Sequence, residues 1–79
     1  MTTPESIKGA IEAALPCERA EVAGDGHHFE ALIVSSRFEG LNRVKRHQLV
    51  YGALGERMRE EIHALSMTTL TPSEWAAQG

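Results

Sequence analysis

Seventy-nine residues, 42% hydrophobic and 24% charged, make one globular domain near the lower size limit for a stable core, and this composition argues against disorder. A formal net charge of −3 excludes a protein that coats nucleic acid by bulk attraction, leaving only a local basic face for such a role. A single cysteine, Cys17, excludes an intramolecular disulfide, and no apolar run approaches the ~20 residues of a membrane span.

The N-terminal run MTTPESIKG lacks the charged-then-apolar pattern of a secretion signal, so the expectation is a soluble cytoplasmic domain over residues 1–79 with no membrane partner. Thr3-Pro4-Glu5-Ser6 starts a helix, with Thr3 as N-cap and Pro4 at the first helical position. Ile7, Ala10, Ile11, Ala14 and Leu15 follow at helical spacing, and Pro16 ends the run because proline disfavours helix in the residue before it. A short β-type run, Glu18–Ala23, meets the turn signal Gly24-Asp25-Gly26, and His27–Ser35 reads as the second strand of a hairpin. Phe29, Ala31 and Ile33 share one side of it, while Leu32 and Val34 make its end apolar on both faces.

After a turn at Gly40 the period becomes helical. Leu41, Val44, Gln48, Tyr51, Leu54 or Gly55, and Met58 trace the predicted apolar stripe, with Leu49, Val50 and Ala53 widening it. Gly52 and Gly55 each cost ~1 kcal/mol relative to alanine in a helix, which suggests close packing there or a break near Gly55. Four of the chain's eight Lys and Arg residues fall between Arg37 and Arg46, which makes this helix the one candidate for a basic face. Ile62–Thr68 reads as the third strand. Thr71-Pro72-Ser73-Glu74 is a capping-box start for a last helix whose Trp75 clamps onto the domain.

The order is therefore α-β-β-α-β-α: an α+β domain with a three-stranded mixed sheet and helices packed on one face. Strand–helix–strand from the second to the third strand predicts a parallel right-handed crossover. Parallel strands begin at the same end of a sheet. His27 and His28, opening one strand, and His63, opening the other, are thereby expected to gather at one end. Adjacent strand residues point to opposite faces, so only one of His27 and His28 is expected to face such a site.

The residues at this point carry a resemblance. The run VAGDGHHFEALIVSSRFEGLNRVKRHQLVYGAL, followed by IHALSMTTLTPSEW, resembles the BolA family, and within it the shorter IbaG-like bacterial members. The most specific parts are Arg37-Phe38-Glu39-Gly40, Arg46-His47 with Val50-Tyr51, Ile62-His63-Ala64, and Thr71-Pro72 with Trp75. The resemblance implies a fold similar to class II KH domains. It also implies pairing with a monothiol glutaredoxin around a shared [2Fe–2S] cluster, in iron–sulfur trafficking or iron homeostasis. In that role His63 matches the family's ligand at the start of the last strand, and the second ligand comes from the first hairpin loop, where His27 is closest and His28 stays open. The glutaredoxin cysteine and a glutathione thiolate would complete the set, so no cluster is expected in the isolated chain, a monomer or weak homodimer.

Some family members are described as DNA-binding regulators of stress response and morphology, which makes Arg43, Lys45, Arg46 and His47 the alternative site, with DNA as partner. The clamp of KH readers is a GXXG loop, and Gly40-Leu41-Asn42-Arg43 has only one glycine. Cys17 reads as a small inert residue, and His47 as structural or surface. Ser35, Ser36, Glu39 and His63 show no catalytic spacing, so an enzyme is not expected.

Overall fold

A computed structural model describes residues 3–25, 27–55 and 65–78. The elements are α1 (Pro4–Ala14), β1 (Arg19–Gly24), β2 (Phe29–Val34), a single 3-10 turn (Ser36–Phe38), α2 (Arg43–Leu54), β3 (Leu65–Leu70) and α3 (Pro72–Gln78). The sheet order is β1-β2-β3, with β1 antiparallel and β3 parallel to the central β2. The expected mixed sheet and parallel crossover are both present. Among the described residues no helix is long and apolar enough to cross a membrane.

α1 starts on a capping box in which Thr3 Oγ1 accepts from the Ser6 amide and Ser6 Oγ accepts from the Thr3 amide, each at 3.1 Å. It stops at Ala14 because Leu15, held before Pro16, is extended. β2 begins at Phe29 rather than His27. Gly24 lies so close beneath the His28 carbonyl and the Phe29 ring that a Cβ there would collide with the carbonyl, so the hairpin closes only on glycine.

The core lies between one sheet face and α1 and α2. Ile7, Ile11 and Leu15 from α1, Ala20, Phe29, Ala31 and Ile33 from the sheet, Phe38 from the turn, and Val50 and Leu54 from α2 are its buried members, with Leu65 closing β3. Packing on one face holds for α1 and α2, while α3 reaches the other side. Arg19, Val34 and Leu70 form one row across the sheet at the parity opposite Phe29, Ala31 and Ile33. Trp75 meets the Arg19 guanidinium 5.0 Å from its ring centroid, within cation–π range. α3 thus closes over that row, which explains why Val34 is fully buried on the face that α1 and α2 leave open.

α2 corrects the expected stripe. It begins at Arg43 with Asn42 as N-cap, so Leu41 lies outside it. Val44 and Tyr51 are 63% and 43% exposed and Gln48 is exposed, while Val50 and Leu54 are buried with Arg46, His47, Leu49 and Ala53 half-buried beside them. The pattern misled because Arg46 and His47, polar by type, occupy the inward face. Gly55 has φ +76° and ends the helix, which bears out a break there, and a Cβ on Gly52 would meet only open space among the described residues. Met58, Ile62 and His63 lie outside the described residues, and β3 as described runs Leu65–Leu70.

The reassigned face predicts that Val50→Ala destabilises the domain by roughly 1.5–3 kcal/mol, while Val44→Ser changes stability by no more than ~0.5 kcal/mol, as read from urea midpoints. Equal effects would restore the stripe through Val44 and Tyr51.

Candidate functional site

The two histidines of the first hairpin leave the ladder because Asp25 captures their backbone. Asp25 Oδ1 accepts from the His27 amide at 2.8 Å and the His28 amide at 2.9 Å, and the Asp25 amide donates back to the His28 carbonyl at 3.2 Å. This is the local loop that aspartate forms in competition with strand pairing. Both histidines are exposed in the loop. Their predicted alternation across two sheet faces therefore does not apply, since neither belongs to β2. The bonds from the His28 and then the His27 amide hold the Asp25 carboxyl below its usual range.

The parallel register sets Phe29 opposite Leu65, so the chain enters β2 and β3 at the same end of the sheet. His27 precedes Phe29 by two positions, as His63 precedes Leu65. His63 itself lies outside the described residues. Among those described, no group of three or more His, Cys, Asp or Glu gathers as a metal site. Cys17 sits at the other end of β2, since the Glu18 amide donates to the Val34 carbonyl at 2.8 Å. The length of β2, roughly 17 Å at ~3.3 Å per residue, separates it from the histidine loop. Its thiol donates to the Leu15 carbonyl at 3.1 Å, and burial, aided by Glu12, pushes its pKa up. A protonated, half-buried thiol is a poor ligand, in line with the expectation of an inert residue.

The basic helix divides on inspection. Arg43 and Lys45 are exposed on the first turn of α2, and His47 is half-buried. Arg46 is 14% exposed and turned inward. Its Nε donates to the Leu41 carbonyl at 2.9 Å, and its Nη1 to the Thr69 carbonyl at 3.1 Å and to Glu74 Oε1 at 2.8 Å. The guanidinium also lies 5.9 Å from the centroid of the Phe38 ring. Glu74 is shared: Oε1 also accepts the Thr71 amide at 2.8 Å, completing the capping box of α3 with Thr71 Oγ1 on the Glu74 amide. Arg46 first, then the Thr71 amide, hold the Glu74 carboxyl below its usual range. Of the four residues read as a nucleic-acid face, Arg46 is thus committed to joining α2, β3 and α3.

Sequence reasoning missed three residues that organise these ends. Asp25 was signalled by its place in the Gly-Asp-Gly turn. Arg46 and the fully buried Ser35, whose hydroxyl donates to the Pro16 carbonyl and accepts the Arg37 amide, were not, because their partners are distant in the chain.

A family model described as BolA-like protein matches residues 5–74. The acid stress protein IbaG of Escherichia coli K12 is 42% identical over 71 residues, covering 89% of this chain and 84% of that protein. The chain belongs to the BolA family. A BolA relative from Haemophilus influenzae, named DNA-binding transcriptional regulator BolA, is 44% identical over 55 residues, covering 70% of this chain and 53% of that protein. Among solved structures, a bolA homologue from Coxiella burnetii superposes with a TM-score of 0.84 at 48% identity, covering 96% of this chain and 99% of that one. The BolA domain of SufE1 from Arabidopsis thaliana gives 0.75 at 38% identity, with 90% and 93% covered. The α-β-β-α-β-α order is therefore the BolA fold.

The clamp on the histidine loop predicts a coupled titration. As pH falls through the lowered Asp25 value, the carboxylate that accepts both amides is lost, so its stabilisation of the loop is present above the ordinary aspartate pKa and vanishes below the depressed one. In an NMR titration the His27 and His28 amide shifts should move together with the Asp25 carboxyl, at a midpoint below that of an aspartate peptide. Separate midpoints for the two amides would contradict the shared acceptor.

Proposed function

We propose that this BolA-family chain is an adaptor that pairs with a monothiol glutaredoxin and co-ligates a [2Fe–2S] cluster with it, in iron–sulfur trafficking or iron homeostasis. The observation that carries the reading is the parallel β2–β3 register, which brings the exposed histidine loop and the entry of β3 to one end of the sheet. His63 is assigned as one ligand and His27 or His28 as the other, the glutaredoxin cysteine and glutathione completing the set. Imidazole suits iron of intermediate hardness, and histidine ligation raises a cluster's potential over an all-cysteine site. The donors of the loop fit this role. Their rings are exposed, while the Asp25 clamp restrains the backbone that carries them.

The test uses the chain mixed with a monothiol glutaredoxin, glutathione and reconstituted cluster. His63→Ala should remove or recast the visible circular dichroism of the complex. Of His27→Ala and His28→Ala, one should alter it and the other leave it close to wild type. Cys17→Ser should change nothing. A His63→Ala complex with the wild-type spectrum would falsify the ligand assignment.

A second reading, a DNA-binding regulator, is supported by the exposed Arg43 and Lys45 at the start of α2 and by the Haemophilus influenzae relative, DNA-binding transcriptional regulator BolA. It now rests on Arg43, Lys45 and the half-buried His47, without Arg46. If it holds, Lys45→Glu lowers promoter affinity about equally across sequences and reduces the salt slope by about 1, measured by fluorescence anisotropy. An unchanged slope removes Lys45 from the interface.

A further inference from the structure

The outer edge of β3 carries backbone groups that no strand among the described residues pairs with. β2 lies on one side of β3, and on the other the described sheet ends. The Leu70 carbonyl accepts the Ser35 amide at 3.0 Å and so faces inward, beyond the end of β2. Successive residues of a strand alternate the side to which their N–H and C=O groups point, so those of Met67 and Thr69 face outward. Arg46, reaching around this edge to the Thr69 carbonyl, occupies one of them. The Met67 amide and carbonyl and the Thr69 amide have no partner among the described residues.

A groove of about 690 Å³ runs along this edge. Residues 67–70 line it consecutively. A strand offers consecutive residues at its edge, whereas one face offers only alternate ones. The opposite wall is the start of α2, with Arg43, Arg46 and His47, and Glu74 stands on the rim. Glu74 neutralises Arg46, while no described carboxylate pairs with Arg43. The first turn of α2 adds the positive end of the helix dipole and contains no acidic residue. In a chain of net charge −3, this groove is therefore locally positive.

We propose that the groove takes an extended acidic peptide segment of a partner protein, which adds a short strand to the outer edge of β3 and sets a carboxylate against Arg43. A peptide backbone supplies both the acceptors that the Met67 and Thr69 amides need and the donor that the Met67 carbonyl needs. A phosphodiester strand has acceptors only and would leave that carbonyl unmatched. Among the described residues no Phe, Tyr or Trp lines the groove to stack a base. Arg46 sets the limit of pairing, because a strand added along β3 must stop where the Thr69 carbonyl is already taken. The groove lies toward the Leu70 end of the sheet, away from the histidine loop beside Phe29, so it offers a contact separate from cluster ligation.

Four probes of the full chain by NMR and amide hydrogen exchange test this: a blocked peptide alternating valine and aspartate, its valine–lysine counterpart, the acidic peptide N-methylated throughout, and oligothymidylate. The acidic peptide should shift and protect the Met67 and Thr69 amides. Arg43→Glu should weaken its binding by about tenfold. The lysine and N-methylated peptides should bind at least about tenfold more weakly than the acidic one. His63→Ala should bind the acidic peptide as wild type does, which separates this result from the fate of the cluster assignment. The proposal is overturned if millimolar acidic peptide leaves both amides unprotected, if the N-methylated or lysine peptide binds equally, or if oligothymidylate protects those amides at lower concentration.

Discussion

β2 is hydrogen-bonded on both sides, antiparallel to β1 and parallel to β3, and the parallel half of that pairing constrains everything after it. A parallel neighbour cannot be reached by a tight turn, so after Val34 the chain must travel back along the sheet before β3 begins. α2 makes part of that return, and it is held to the sheet and to α1 by Val50 and Leu54. The same requirement sorts the molecule into two ends. The starts of β2 and β3, with the histidine loop beside them, lie at one. The residues that leave those strands, Ser35 and Thr71, lie at the other with the Pro16–Cys17 connection.

Among the described residues, the second end is tied down and the first is open. Ser35 joins the Pro16 carbonyl to the Arg37 amide through its hydroxyl, and its own amide reaches the Leu70 carbonyl. Arg46 then joins Leu41, Thr69 and Glu74, and Glu74 caps the helix that carries Trp75 back across Val34 to Arg19. A guanidinium is suited to this junction because its fixed fork of donors can serve several acceptors on separate segments. One of the cations read as a nucleic-acid contact is thus spent on internal structure, and the charge left for a partner is displaced toward Arg43 and Lys45. At the open end Asp25 is the one side chain among the described residues that restrains the backbone, and it leaves both imidazoles exposed.

Legibility followed the range of each interaction. The starts of α1 and α3 could be read from Thr3, Pro4 and Ser6 and from Thr71, Pro72 and Glu74, because each cap closes within three residues. The start of β2 was misplaced by two residues because a local bond from Asp25 outcompeted the strand pairing that alternation implied for His27 and His28. On α2 both sides of the helix carry apolar residues, and Val44, Gln48 and Tyr51 fit a stripe as well as Val50 and Leu54 do. Only the neighbours choose between them. Arg46 tipped that choice, since its inward position is tolerable only where carbonyls from β3 and the turn, with a carboxylate from α3, receive it.

By itself the sequence determined the element order, the caps, the hairpin turn and, through strand–helix–strand spacing, the parallel crossover that sets which segments share an end of the sheet. These rest on local backbone preference and chain connectivity, which residues near in sequence specify. The tertiary structure alone decided which face of α2 is buried, that Arg46 is a brace, that α3 covers the far side of the sheet, and that no strand among the described residues pairs with the positively flanked outer edge of β3. Those outcomes depend on partners distant in the chain, such as Arg46 and Glu74, 28 residues apart, and no local pattern encodes such a meeting.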